Sequence, residues 1–269
     1  MVTVNSSLVD LIEKYMDITS PSESIQHREC GQKHRKLLTY SSTKIEHSNG
    51  YGAKYLTAIM YLAPAMVSGR NVCAWKTAGC EAVCLNTAGR GVMSTVQAAR
   101  IGRTHHFQQD RVCFKVQLYK EISAHIRKAL KLGRIPALRL NGTSDITWEK
   151  LPIFSDMFQH FSGVVFYDYT KYPIKYRAEL PSNYSLTYSR SERPGSDLEA
   201  VEWAQQGYTA AVVFDTKRGT PLPATWQGLK VIDADVHDMR FLESGTVAGL
   251  RAKGKARKDS SGFVVKVAA

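Results

Sequence analysis

Between residues 54 and 235 the chain alternates short apolar runs with segments whose apolar residues return every three or four positions. Tyr55-Leu-Thr-Ala-Ile-Met-Tyr-Leu is a nearly unbroken apolar run, the mark of a buried strand, and Ala63-Pro64 ends it. A helical stretch covers residues 94–132 and breaks in two near residues 105–110. In its second half Leu118, Ile122, Ile126 and Ala129/Leu130 share one face. Gly133 closes it and Pro136 prevents its continuation. Pro136-Ala-Leu-Arg-Leu-Asn then predicts a strand. Residues 148–161 predict an amphipathic helix presenting Leu151, Phe154, Phe158 and Phe161, and Val164-Val-Phe-Tyr-Asp predicts another strand. Residues 172–180 form a weak helical pattern ended by Pro181, and Tyr184-Ser-Leu-Thr-Tyr is again strand-like. Ser196-Asp-Leu-Glu199 has the form of a capping box opening a helix that stops at Gly207. Ala210-Ala-Val-Val-Phe-Asp and Leu229-Lys-Val-Ile-Asp-Ala-Asp supply two more strands.

Strands alternating with helices predict a parallel sheet with right-handed crossovers. Six such strands suit an α/β fold of the (β/α) TIM-like barrel type, complete or partial. An open doubly wound sheet is the rival, but no Gly-x-Gly-x-x-Gly turn follows any strand. The whole chain, residues 1–269, reads as one domain. An irregular polar N-terminal extension (1–53, with a short helix at 9–16) precedes the barrel core at 55–241. Residues 242–269 then hold a basic Gly/Ser-rich loop and a closing strand, Phe263-Val-Val-Lys-Val.

Charge narrows the partners. With 36 Lys and Arg against 24 Asp and Glu, the chain carries a net charge of +12. That favours polyanions: an anionic small-molecule substrate in the barrel mouth, or nucleic acid, with a solvated basic face as the plain reading. No apolar run approaches the ~18–20 residues of a membrane span. The N-terminus lacks the basic and apolar segments of a signal peptide, so a cytoplasmic protein with reduced thiols is expected.

The most specific chemistry lies in the loop after the first strong strand. Three of the five cysteines, Cys73, Cys80 and Cys84, fall within twelve residues, in a Cys-x6-Cys-x3-Cys spacing. Structural zinc sites usually draw on paired Cys-x2-Cys knuckles and thioredoxin chemistry on Cys-x-x-Cys; neither pattern is present. Three soft thiolates on one loop suit three irons of a 4Fe–4S cluster, with zinc, redox thiols and a merely structural role as alternatives. Trp75, Ala78, Val83 and Leu85 would shield such a cluster. Cys30, in a polar loop, is the candidate fourth ligand, whereas Cys113 reads as a small core hydrophobe on a helix. A vacant fourth position would leave one iron to act as a Lewis acid. Radical-SAM barrels also place three cysteines after their first strand, but as Cys-x3-Cys-x2-Cys; this chain departs from that spacing, so SAM cleavage does not follow.

In parallel α/β folds function gathers at the carboxyl ends of strands. The residues there are Asn141, Ser144 and Asp145; Asp168, Thr170 and Lys171; Ser189 and Arg190; Asp215 and Lys217; and Asp233, Asp235 and His237. Asn141, Asp145, Asp168 and Lys171 are the strongest candidates, against the plainer reading that such residues cap helices. Arg90, Arg100 and Arg103 follow the cysteines, and arginines three apart on a helix can share an anion. Adjacent histidines, His105 and His106, point to different sides of a helix and make a poor two-ligand site.

Three functions compete. The first is an iron–sulfur enzyme of redox or Lewis-acid type. The second is a hydrolase with Ser144 or Ser189 as nucleophile, His237 as base and Asp168 or Asp215 orienting it, though no Gly-x-Ser-x-Gly elbow is present. The third is a zinc-clipped nucleic-acid binder.

Certain runs also carry a family resemblance. They are Tyr61-Leu-Ala-Pro-Ala through Ser68-Gly-Arg-Asn-Val-Cys, Gly79-Cys, Cys84-Leu, Ala88-Gly-Arg, Ala99-Arg, Arg103-Thr and Phe107. Leu138-Arg-Leu-Asn-Gly-Thr-Ser-Asp-Ile-Thr-Trp-Glu, Phe166-Tyr-Asp-Tyr-Thr-Lys and Gly249-Leu-Arg-Ala-Lys-Gly continue it. Over most of residues 55–265 the chain resembles the phage gene product 88 family. The resemblance implies a phage-encoded protein made in the bacterial host cytoplasm.

Overall fold

A computed structural model describes Cys30, residues 34–177 and residues 179–267. Among these residues nine strands form one sheet: β1 (Leu38–Thr39), β2 (Tyr55–Met60), β3 (Ile135–Arg139), β4 (Val165–Thr170), β5 (Tyr184–Ser189), β6 (Thr209–Phe214), β7 (Thr225–Trp226), β8 (Leu229–Asp233) and β9 (Val247–Arg251). The order is β1-β2-β3-β4-β5-β6-β9-β8-β7. Strands β2 to β6 run parallel in chain order, β9 and β8 extend the parallel set, and the two edge strands are antiparallel.

The sheet does not close, so a complete barrel is not formed. Closure would require the two edges to hydrogen-bond each other. Both are two-residue antiparallel strands, too short to carry a joining ladder. A doubly wound order is absent too, because β2 to β6 never reverse direction across the sheet.

Among the described residues six α-helices accompany it: α1 (Thr43–Gly50), α2 (Ala78–Ala82), α3 (Ser94–Gln109), α4 (Arg111–Lys131), α5 (Met157–His160) and α6 (Ser196–Gln205). Strand alternation sorts the core into two faces. Ala58, Met60, Leu138, Leu140, Phe166, Leu186 and Tyr188 pack with Leu118, Ile122, Ile126, Phe158 and Trp203 of the helices. On the other face, Ala137, Val165 and Tyr167 pack against Met239 and Phe241, in the connection between β8 and β9. That connection fills the lower part of this face and leaves its upper part, at the carboxyl ends of the strands, to line a cavity.

The long helical stretch breaks at Asp110, whose carboxylate accepts from the Cys113 amide, and Gly133 follows it with φ of 65°. Other expectations need correction. Residues 148–161 are not one helix: Pro152 starts a separate 3-10 turn, and only Met157–His160 is α-helical. Residues 172–180 contribute one 3-10 turn after Pro173. The capping box does not form. Gly195 is the N-cap, the Ser196 hydroxyl accepts from the Ser191 amide, and Glu199 accepts from the Tyr188 hydroxyl. The extension holds β1 and α1, while its expected helix at residues 9–16 lies outside the described residues. β9 sits inside the sheet although it falls in the supposed terminal loop, and residues 263–267 add only a bridge between Phe214 and Val265.

Candidate functional site

The cavity has a volume of about 250 Å3 and is lined from β3, β4, β5, β6, β9 and the loops beyond them. Cys73, Cys80 and Cys84 all line it. Their loop is fastened at several points. The Asp145 amide donates to the Val72 carbonyl at 2.9 Å, which sets Cys73 beside Asp145 in a parallel bridge. The Ala65 amide donates to Cys73 Sγ at 3.4 Å, and the Asn86 amide donates to Cys84 Sγ. Thr77 caps α2 by accepting from the Cys80 amide at 3.2 Å. From the far side, the Glu192 carboxylate accepts from the Gly79 amide at 2.7 Å and from Thr77 Oγ1 at 2.8 Å.

These thiols are half-buried and unbonded. Burial pushes the Cys73 thiol up to about 12 and raises that of Cys84. As free thiols Cys73 and Cys84 are poor nucleophiles at neutral pH; a bound cation would invert that preference and hold them as thiolates. The donor set is soft sulfur with amides aimed at two of the three atoms, which fits an iron–sulfur group. Among the described residues no group of three or more His, Cys, Asp or Glu side chains closes on a single metal ion.

Cys30 does not join them. Its sulfur is bonded to that of Cys113, so neither serves as the fourth ligand in this state. Cys113 is buried as expected, but in a disulfide.

Six cationic side chains line the cavity, Lys44, Lys76, Arg139, Lys171, Arg251 and Lys253, against one carboxylate, Asp145. Most have acidic partners behind them. Arg139 Nη1 and Lys44 Nζ meet Asp238 at 2.7 and 3.1 Å, Arg251 meets Asp233 and Asp235, and Lys253 meets Asp235. Lys171 differs. Its ammonium donates to Ser189 Oγ (2.8 Å), the Ser189 carbonyl (3.0 Å) and the Arg190 carbonyl (3.4 Å), which are neutral oxygens. It also lies over the Phe263 ring, 5.0 Å from its centroid. Asp145 Oδ2 accepts from the Lys171 amide, whereas buried Oδ1 has no hydrogen-bond partner, and burial raises its carboxyl above the usual range.

Of the other predicted residues, Ser144 reaches the cavity wall, but Asn141, Asp168, Asp215 and His237 do not line it. Asn141 and Asp168 brace the loop after β3. Asp168 accepts from the Asn141 amide (2.6 Å), Asn141 Nδ2 (3.2 Å) and the Tyr184 hydroxyl (2.9 Å). Asn141 Oδ1 in turn accepts from Ser144 Oγ, the Ile146 amide and Trp148 Nε1. Burial pushes the Asp168 carboxyl up to about 7. Asp215 accepts from the Val267 amide near the C-terminus. His237 lies against Tyr51 and Arg240, with Glu243 at 3.5 Å, and burial lowers it to about 4. No imidazole lines the cavity among the described residues, so a Ser-His-Asp arrangement is not assembled.

The three arginines expected to bind an anion do not line the cavity. Arg100 donates to Asn86 Oδ1 and lies over the Tyr61 ring, Arg103 donates to the Lys36 and Tyr61 carbonyls, and Arg90 is exposed. Sequence reasoning passed over Arg139, Lys44 and Tyr169. Arg139 carried a signal in Leu138-Arg-Leu, where a charge interrupts a buried strand and alternation turns it onto the cavity face.

The family described as Gene product 88 matches residues 32–267 of the chain. No curated protein and no solved structure matches it.

Proposed function

The chain belongs to the gene product 88 family of phage proteins, and from that premise we propose that Cys73, Cys80 and Cys84 hold a 4Fe–4S cluster facing a basic cavity. The observation that carries this reading is that three soft ligands from one loop line the same cavity, with backbone amides directed at Cys73 and Cys84. In a cubane cluster each thiolate takes a different iron, so three cysteines suffice. A mononuclear zinc would need a fourth ligand on the same ion, and among the described residues no imidazole lines the cavity. We read the open sheet as a partial (β/α) barrel, whose first parallel strand delivers the cysteine loop to the carboxyl end.

When bound, such a group supplies an electron or a Lewis-acidic iron with no protein thiolate on it. The chain's own residues define what it meets. Lys171 offers an ammonium whose partners are all neutral, so an anionic group entering the cavity gains a charge-assisted hydrogen bond at little cost to existing ion pairs. Arg139 presents a second cation, held in place by Asp238 behind it. Asp145 Oδ1, which has no hydrogen-bond partner and faces the Arg177 guanidinium at 3.8 Å, brings a carboxylate oxygen beside Cys73 that can orient a substrate donor. The substrate class is therefore a small anionic molecule carrying a carboxylate or phosphate.

This reading is tested on the dithionite-reduced protein by electron paramagnetic resonance. Adding inorganic phosphate or succinate is expected to change the cluster signal, and Lys171→Met to weaken that response at least tenfold in half-saturating concentration. A signal insensitive to both anions would remove the substrate assignment.

A further inference from the structure

At the corner between α3 and α4, residues the cavity does not use converge on a different chemistry. We propose that Cys30, His34, His106 and Cys113 form a structural zinc site whenever the Cys30–Cys113 disulfide is reduced.

His106 lies in the last turn of α3. The Asp110 amide then closes that helix on the His106 carbonyl, and the Asp110 carboxylate caps α4 through the Cys113 amide at 3.0 Å. The corner thus fixes a histidine and a cysteine seven residues apart. Two side chains from Cys30 and His34 reach the same corner. Cys30 is bonded to Cys113, and the His34 ring stacks on His106 with centroids 3.5 Å apart and planes 7° apart. Each segment therefore supplies one sulfur and one imidazole, in Cys-x3-His and His-x6-Cys spacings. Closed tetrahedral zinc sites are assembled from such pairs.

An independent observation points to a ligand. His106 is only 3% exposed, yet neither Nδ1 nor Nε2 has a hydrogen-bond partner. Its ring meets Phe114 at 5.3 Å, which offers no donor or acceptor in its plane. A buried imidazole with both nitrogens unsatisfied carries a desolvation cost that a coordinated ion would offset.

In the disulfide state the two sulfurs are committed to each other, and among the described residues no group of three or more His, Cys, Asp or Glu side chains is set to hold a metal ion. A dithiol reductant changes that. It delivers two electrons and two protons, the Cys30–Cys113 bond breaks, each sulfur leaves as a thiol, and the reductant closes its own disulfide. A zinc ion then displaces the two thiol protons, giving two thiolates and two neutral imidazoles around a divalent cation. The centre is neutral overall, which suits a buried position. Either state ties Cys30 and His34 to the α3–α4 corner.

The test uses the full chain with Cys73, Cys80 and Cys84 all changed to Ser, so that iron and zinc at the cavity do not contribute. After treatment with a dithiol and zinc, then removal of free metal, about one zinc per chain is expected. Cobalt in its place should give the absorption of a tetrahedral thiolate site. His106→Asn, His34→Asn and Cys113→Ser should each lower zinc retention at least tenfold, and reoxidation of the parent chain should release the ion with helical circular dichroism unchanged. If the triple variant does not fold, the wild-type chain gives the same answer as the zinc increment that His106→Asn removes. The inference is overturned by a reduced chain that takes up no zinc, by zinc retained equally in His106→Asn, or by equal retention in the reduced and oxidised forms.

Discussion

The carboxylate of Glu192, in the turn after β5, accepts from the amide of Gly79 at 2.7 Å, across 113 residues of chain. Its other oxygen takes the Thr77 hydroxyl. One side chain thereby fixes the helix that carries Cys80 onto the sheet. Hydrogen bonds to a charged group are worth about 1.5–3 kcal/mol each, so Glu192→Ala should lower the Tm by several degrees and, more tellingly, reduce iron retention. Gly79→Ala should do likewise, because a Cβ there would meet the Ser261 hydroxyl and come within 2.8 Å of Glu192 Cδ. Metal analysis against circular dichroism checks both. Normal iron content in either variant would show that the clamp does not position the cysteines.

Asp238 lies under the cavity and collects Arg139, Lys44 and the Tyr169 hydroxyl. Burial alone would raise its carboxyl, but Lys44, Arg139 and Arg240 hold it well below the usual carboxylate range. Its contribution to stability is present above the unfolded value near ~4 and fades as pH falls further. Asp238→Ala should cost about 3–5 kcal/mol in urea denaturation, since it leaves buried cations unpaired. A cost below about 1 kcal/mol would mean that water already compensates those charges.

Asp168 has the opposite sign. Its folded carboxyl is pushed up to about 7 by burial, so its protonated form suits the native state. The stabilisation is complete below the unfolded value near ~4 and is lost as pH rises through about 7. Burial likewise raises Glu243 to about 7, so it contributes over the same window. Asp168→Asn should therefore flatten, but not abolish, the fall in stability between pH 4 and 7 seen in urea titrations of the parent. An unchanged slope would place the ionisation elsewhere.

Ester hydrolysis is expected to be absent. Ser144 donates to Asn141, Ser189 accepts from Lys171, and no imidazole lines the cavity among the described residues. Turnover of a chromogenic ester should stay at background, and Ser144→Ala should leave that background unchanged. Turnover abolished by Ser144→Ala would revive the hydrolase.

Much of this was legible in residue patterns. Apolar runs locate β2 to β6 and β8, and the residue pattern alone shows a break near residues 105–110 and the stop at Gly133. β9 escaped because Val247-Ala-Gly-Leu-Arg is short and small-sided; only its neighbours, β6 and β8, make it a central strand. Sheet closure depends on edge pairing, which periodicity does not encode. For the site, cysteine spacing picked out three thiols that line the cavity, and their place after a strand. Asn141 and Asp168, expected at the site, brace a loop beside it, because a polar residue at a strand end can face the cavity or bind its own loop. Which applies is decided by partners such as Tyr184 and Trp148, distant in sequence. Cys30 was misplaced for the same reason: its partner lies 83 residues away.

The most direct measurement is iron, acid-labile sulfide and zinc analysis of protein purified without oxygen. The cluster assignment predicts about four irons and four sulfides per chain, with visible absorption bleached by dithionite. It predicts that Cys73→Ser, Cys80→Ser and Cys84→Ser each remove them. A colourless chain with zinc on those three cysteines and no sulfide would contradict it.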